Sequence, residues 1–260
     1  MLFRILTKDA FAQLVELILE SNEVIGPKRV ATSADGSPIH QYLPVTRFAE
    51  LELDYETTEF PAKTYFLPYR EQLSTFRFEE ADWSQEIKYR IQPRALIGLH
   101  ACDINGLLKL DKVFQRDAFP SPYYLSRRRN TLVVGIVHMP CHRGFCQSVD
   151  ANVVTHGFDL FLTDLGERYF VSIGSDRGFN LVGQVDAREV SDDDTHAYIA
   201  ERRRISDAFK THVRVQNLPT LLDLEFESPV WQRWGDKCLS CGSCAMACPT
   251  CYCYGVTEHL

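Results

Sequence analysis

Ala95-Leu-Ile-Gly-Leu-His100, continued by Ala101-Cys-Asp-Ile-Asn-Gly-Leu-Leu-Lys-Leu-Asp-Lys-Val-Phe114, is the stretch from which the fold can be read. Its first half is a short apolar run of the kind that forms a buried strand. After Cys102, the residues Ile104, Leu107, Leu108, Leu110 and Val113 repeat with helical period. The unit is therefore strand, loop, helix. A second apolar run, Thr131-Leu-Val-Val-Gly-Ile-Val137, stops just before His138-Met-Pro-Cys141. Cys102 and Cys141 thus follow directly on the ends of two strands. If the strands are parallel, both cysteines lie at one sheet edge, where open α/β folds bind their ligands.

Upstream of that core, Thr7 is placed to cap a helix whose apolar stripe is Phe11, Leu14, Val15, Ile18 and Leu19. Val24 to Val45 reads as two short strands about the turn-rich Ser33-Ala-Asp-Gly-Ser-Pro38, and the stretch to about residue 90, broken by Pro61 and Pro68, reads as irregular. Downstream, Phe158–Thr163 and Tyr169–Ile173 read as a hairpin, and a charged helix capped by Ser191 is expected to run to about Val213 with Arg202, Arg203 and Arg204 on its surface. Pro229, Trp231 and Trp234 lead into a cysteine-rich end. These elements predict an α+β or α/β fold, with a mixed domain over residues 1–228 containing a partly parallel sheet and a small ferredoxin-like iron–sulfur segment over 229–260.

A chain of 260 residues buries a sizeable core without crosslinks, so its nine cysteines are not needed for stability. The formal net charge of −7 argues against a nucleic-acid partner held by phosphate contacts. The N-terminus turns polar after six residues, too early for a signal-peptide core, and no apolar run spans a membrane; a cytoplasmic protein is expected. In that compartment thiols stay reduced, and clustered cysteines point to metal or catalysis.

Cys238-x-x-Cys241-x-x-Cys244-x-x-x-Cys248-Pro249 has the bacterial ferredoxin spacing for a [4Fe–4S] cluster. Two-residue gaps wrap a short loop around a cubane, and the small Gly242 and Ser243 let backbone N–H groups approach its sulfurs. A structural zinc site would use two separated C-x-x-C pairs instead. In two-cluster ferredoxins the fourth cysteine of such a run serves the other cluster, so Cys248 either completes its own cluster or serves one beyond Leu260. Five cysteines remain, Cys102, Cys141, Cys146, Cys251 and Cys253, enough for a second cubane on Cys102, Cys141, Cys146 and either Cys251 or Cys253. The alternative is that these five are buried small hydrophobes.

Other candidates are weaker. His138, Cys141, His142 and Cys146 fit no zinc spacing well, and Arg143 beside them would donate to an anionic cluster or face solvent. His100, just before Ala101-Cys102, reads as a satisfied core histidine, or else as a residue that modulates a cluster potential. Arg127-Arg128-Arg129-Asn130 reads as a solvated loop, or else as a dock for an acidic partner or a phosphate. No flavin or nucleotide signature, and no nucleophile with its base, is visible, so no catalytic residue is assigned.

Pro61-Ala-Lys-Thr-Tyr-Phe-Leu-Pro68, Gly98-Leu-His-Ala-Cys-Asp-Ile-Asn-Gly106, Leu110-Asp-Lys-Val-Phe114, Tyr123-Tyr-Leu-Ser-Arg-Arg-Arg-Asn130, the pair Cys141 and Cys146, and Cys238 to Tyr254 with its Cys-Pro-Thr-Cys-Tyr-Cys ending resemble the iron–sulfur beta subunit of cytoplasmic NiFe hydrogenases of the sulfhydrogenase type. The same pattern is similar to the electron-transfer subunit of anaerobic sulfite reductase. The resemblance implies a non-catalytic electron-transfer subunit of a multi-subunit oxidoreductase. Its implied partners are a flavin- and NAD(P)-binding reductase subunit together with NiFe hydrogenase subunits, or a sirohaem sulfite reductase subunit. In that family a second ferredoxin-like run normally follows, and this chain departs from the pattern by ending before it. A third reading, of another class, is a binding module whose metal only holds the tail.

Overall fold

Apolar runs flanked by turn residues build the centre of the molecule. The computed structural model describes residues 2–80, 82–89, 91–115 and 118–259; Leu260, the end of the expected iron–sulfur segment, lies outside them. The elements are β1 (Leu2–Thr7), α1 (Lys8–Leu19), β2 (Glu23–Thr32), β3 (Pro38–Val45), β4 (Ser74–Glu79), β5 (Asp82–Ile87), β6 (Arg94–Leu99), α2 (Ala101–Phe114), α3 (Pro122–Arg129), β7 (Thr131–Ile136), β8 (Leu160–Asp164), β9 (Arg168–Ile173), α4 (Asp176–Val182), β10 (Ala187–Arg188), α5 (Asp192–Asp207), α6 (Leu218–Leu224), α7 (Pro229–Gly235) and α8 (Ser243–Ala247). The fold is mixed α/β.

One eight-stranded sheet carries it, in the order β10-β1-β9-β8-β7-β6-β2-β3. Its middle, β2-β6-β7-β8, is parallel, as expected, and antiparallel pairs close both flanks. The parallel strands read as continuous hydrophobic runs because both of their faces are covered. Along β6, Ala95 and Ile97 join the core under α1 and α4, whereas Leu96 and Leu99 join the core under α2 and α3. Strict alternation would put Leu99 on the face of Ile97. A bulge breaks it: the pairing with β7 shifts between Ile97 and Leu99, and Gly98 takes φ +86, a conformation that favours glycine. The bulge turns the chain just before His100.

The first helix forms as its stripe predicts, with the Thr7 hydroxyl accepting from Ala10 N–H at 3.1 Å. The hairpin expected over 158–173 is present as β8 and β9, and the strands expected over 24–45 as the antiparallel pair β2 and β3. The stretch expected to be irregular before residue 90 contains a two-stranded hairpin, β4 and β5. Its cross-strand pair Phe78 and Trp83 is exposed, so it lacks the burial signal by which strands are read. The charged helix ends at Asp207 rather than near Val213, and Phe209 beyond it is buried outside any helix. Arg127-Arg128-Arg129 is not a solvated loop but the last turn of α3, where basic residues favour a helix C-terminus. Arg127 is buried, pairs with Glu71 and donates to Phe66 O, and Arg128 pairs with Asp111. Among the described residues no helix is long and apolar enough to cross a membrane.

Candidate metal centres

Parallel pairing of β6 with β7 brings the residues after both strands to one edge of the sheet. His100 is the N-cap residue of α2 and Cys102 lies in its first turn. Cys141 and Cys146 come from the long β7–β8 connection. Asn105 holds that loop from α2 by donating to Ala151 O at 3.3 Å and Val153 O at 2.8 Å. Gln147 bonds the Ser206 hydroxyl on α5 at 2.9 Å. So anchored, Cys102, Cys141 and Cys146 line a single pocket together with Val137, His138, Pro140, Ile205 and Phe209.

The thiols in this pocket are not alike. Cys102 lies against the Cys146 sulfur as its proton donor, which brings Cys146 down to about 6 and pushes Cys102 well above the ordinary thiol range. Burial raises Cys141 to about 11, and its thiol donates to Glu56 O at 3.1 Å. The Glu56 carboxylate accepts from His142 N–H at 2.7 Å, fixing the start of the loop. Burial lowers His138 to about 4 and raises Asp103, which accepts from the Tyr42 hydroxyl at 3.1 Å, to about 6. A pocket with one thiol already disposed to ionise, two more beside it and the N-terminus of a long helix behind it suits a cation or an iron–sulfur group bound through sulfur.

His100 corrects its sequence reading in one respect. It is buried at 3% exposure, but Nε2 has no hydrogen-bond partner, so it is not a satisfied core histidine. Its ring is stacked between Tyr55, at 4.0 Å and 16°, and His138, at 3.5 Å and 3°.

The ferredoxin-like run lies on the outside. Cys238, Cys241, Cys244, Cys251 and Cys253 are exposed, and Cys248 is half-buried. Ser240 at φ 54 and Gly242 at φ 74 curl the loop before α8, and Ser240 N–H approaches Cys238 Sγ at 3.4 Å. Cys241 Sγ and Ser243 Oγ are 3.3 Å apart, as are Cys248 Sγ and Thr250 Oγ1. The hydroxyl of Ser243 holds the Cys241 thiol below its ordinary value. Burial raises Cys248, but hydrogen bonds from Thr250 and Cys251 outweigh it and bring the thiol to about 7. Donation to Cys248 raises Cys251 in turn. These N–H and O–H contacts to sulfur are the kind that a thiolate-bound cluster requires, so the residues fit the group.

Four contacts fasten this segment to α2 and its neighbourhood. Buried Lys63 donates to Ala245 O at 2.8 Å and to Cys251 O at 2.9 Å. Pro249 packs on Gly106, where an added Cβ would lie 3.0 Å from the proline Cβ. Tyr252 meets Phe114 edge-on at 5.7 Å. Cys251 thus stands beside Cys248 and Cys244, while Cys102, Cys141 and Cys146 share their own pocket. Glu56 carried no sequence signal, and Lys63 entered only within the Pro61–Pro68 motif of the family resemblance. Gly106 carried one, as a lone glycine inside a helical pattern.

No protein-family model matches the chain. It is 33% identical over 256 residues to sulfhydrogenase 2 subunit beta of Pyrococcus furiosus, an alignment that covers 97% of this chain and 73% of that protein. The alignment spans both sheet and tail, and on it the chain belongs to the sulfhydrogenase beta-subunit family.

Proposed function

We propose that this chain is an iron–sulfur electron-transfer subunit of a multi-subunit NiFe hydrogenase, relaying electrons between a flavin- and NAD(P)-binding partner and the catalytic subunits. The observation that carries the proposal is that one helix joins two thiol-rich sites. The first turn of α2 bears Cys102, beside Cys141 and Cys146, and its second turn holds Pro249 of the ferredoxin-like run against Gly106. A relay needs redox centres close together and no substrate pocket.

The first centre is assigned to Cys238, Cys241, Cys244 and Cys248, and the second to Cys102, Cys141 and Cys146 with one further ligand. Bound [4Fe–4S] clusters would supply one-electron storage, at potentials that proteins set anywhere between about −700 and +450 mV. The chain's own residues do the tuning. Ser240 N–H and the hydroxyls of Ser243 and Thr250 stabilise negative charge on the sulfurs of the first centre. The buried ammonium of Lys63 adds a positive charge next to it. At the second centre the N-terminus of α2 serves the same end, and Ile205 and Phe209 shield the pocket from water.

Iron and sulfide analysis of anaerobically prepared chain tests the assignment: about eight irons per chain are expected, and about four would remove the second centre. A reduced protein without a paramagnetic signal at low temperature would remove both, leaving the zinc-held binding module. Co-purification with a nickel-containing large subunit supports the hydrogenase complex, whereas a sirohaem partner would overturn it in favour of sulfite reductase.

A further inference from the structure

Three thiols leave one position of a cubane without a protein ligand, and we propose that His100 fills it, making the second centre Cys102, Cys141, Cys146 and His100. This rests on the two-centre reading above and specifies it. The side-chain donor atoms of His100, Cys102 and Asp103 all lie within 4.8 Å of one another. His100 Nε2 is buried and unpartnered, which native interiors tolerate where an ion or other group completes the site. Tyr55 covers one ring face and His138 the other, so only the ring edge is open. Imidazole binds metals through that edge, by an in-plane nitrogen lone pair. The ring cannot turn away, because the stack and the bulge at Gly98 fix it at the end of β6, two residues before Cys102.

Three competing donors are otherwise engaged, and Cys253 is exposed on the tail. Asp103 accepts from Tyr42, Glu56 accepts from His142 N–H, and Cys251 is paired with Cys248. His138 lines the pocket of the three thiols, whereas His100 meets it at Cys102, and among the described residues it is His100 whose nitrogen falls with Cys102 in the group of close donors. Replacing a thiolate by neutral imidazole leaves the centre one negative charge lighter and raises its potential, as His-for-Cys replacement does in other iron–sulfur proteins.

The test uses the full chain, prepared anaerobically from cells fed 15N-histidine, with pulsed electron paramagnetic resonance and iron analysis. About eight irons and a coupled histidine nitrogen are expected in the parent protein. His100→Ala should lose the nitrogen coupling, together with second-centre iron. His100→Cys should keep about eight irons, lose the coupling and show a lower second-centre potential, and it keeps the test decisive if the alanine variant does not fold. His138→Ala should retain the coupling. A loaded protein with no coupled nitrogen, or a coupling that survives His100→Ala, overturns the assignment of His100. Loss of second-centre iron in Cys251→Ala or Cys253→Ala, with His100→Ala still loaded, overturns it in favour of a tail cysteine. About four irons in the parent protein would instead overturn the second centre itself, and this proposal with it.

Discussion

Lys63 is the residue on which the tail most depends. Its side chain is buried and its ammonium is spent on two backbone carbonyls, Ala245 O and Cys251 O, on either side of Cys248. Hydrogen bonds from a charged donor contribute roughly 1.5–3 kcal/mol each, less what the released carbonyls regain from water. Lys63→Met preserves the stem's packing and removes only the donor. We expect it to weaken docking of the tail by about 2 kcal/mol, seen as faster amide exchange around α8 with unchanged exchange in β6 and β7. Equal acceleration in both regions would show that Lys63 supports the whole fold instead. Gly106 works toward the same contact from the other side. A helix-interior glycine costs about 1 kcal/mol against alanine, and here the lost propensity is offset by the close approach of Pro249. That glycine could be noticed in the sequence, whereas its partner could not, because the contact spans from α2 to the tail.

At the scale of elements, α5 shows how a helix with little apolar surface is held. Ser191 and Asp194 form a reciprocal capping box at its N-terminus. The Asp194 carboxylate, itself buried, also accepts from Arg168 on β9 at 2.7 Å and from Arg188 on β10 at 2.6 and 2.9 Å. Arg188 first, and then Ser191 and Arg168, hold this carboxyl far below the ordinary carboxylate range. A carboxyl whose pKa is depressed by folding stabilises the native state above its unfolded value, near 3.9, and that stabilisation is lost as pH falls. Asp194→Asn should therefore destabilise the protein by about 2 kcal/mol at pH 7, with the gap to the parent narrowing below about pH 4. Thermal melts at pH 7 and pH 3.5 check this, and a gap independent of pH would sink it. The sequence revealed the Ser191 cap but not the helix's end, since a cap is a local signal and an end in a polar helix depends on which side chains find tertiary partners. The same reason hid α3: three consecutive arginines look solvated until Glu71 and Asp111 are brought beside two of them.

At the scale of the whole molecule, the core and the cysteines are separate. The two clusters of buried side chains run from Leu6 to Val182 across the faces of the eight-stranded sheet, and no cysteine belongs to either. That separation explains which parts were legible. The sheet's parallel centre announces itself through continuous apolar runs, and the cysteine run through spacing, because both are local patterns. The meeting of Cys102, Cys141 and Cys146 follows from strand order, so it could be argued from strand ends but not located. The unpartnered edge of His100 is a property of packing alone. The separation also predicts how the protein behaves without metal. Small zinc domains unfold when stripped because ligand binding is their folding energy. Here the tail cysteines other than Cys248 are exposed while the sheet is closed by its own side chains. Anaerobic removal of iron with a chelator should thus leave a cooperative thermal transition and the far-UV spectrum of the sheet largely intact. The segment after α5 should become rapidly cleaved by protease, since its exposed Leu221, Leu222, Trp231 and Trp234 contribute no core of their own. Loss of the thermal transition on stripping would show that the clusters, and not the sheet, hold the fold together.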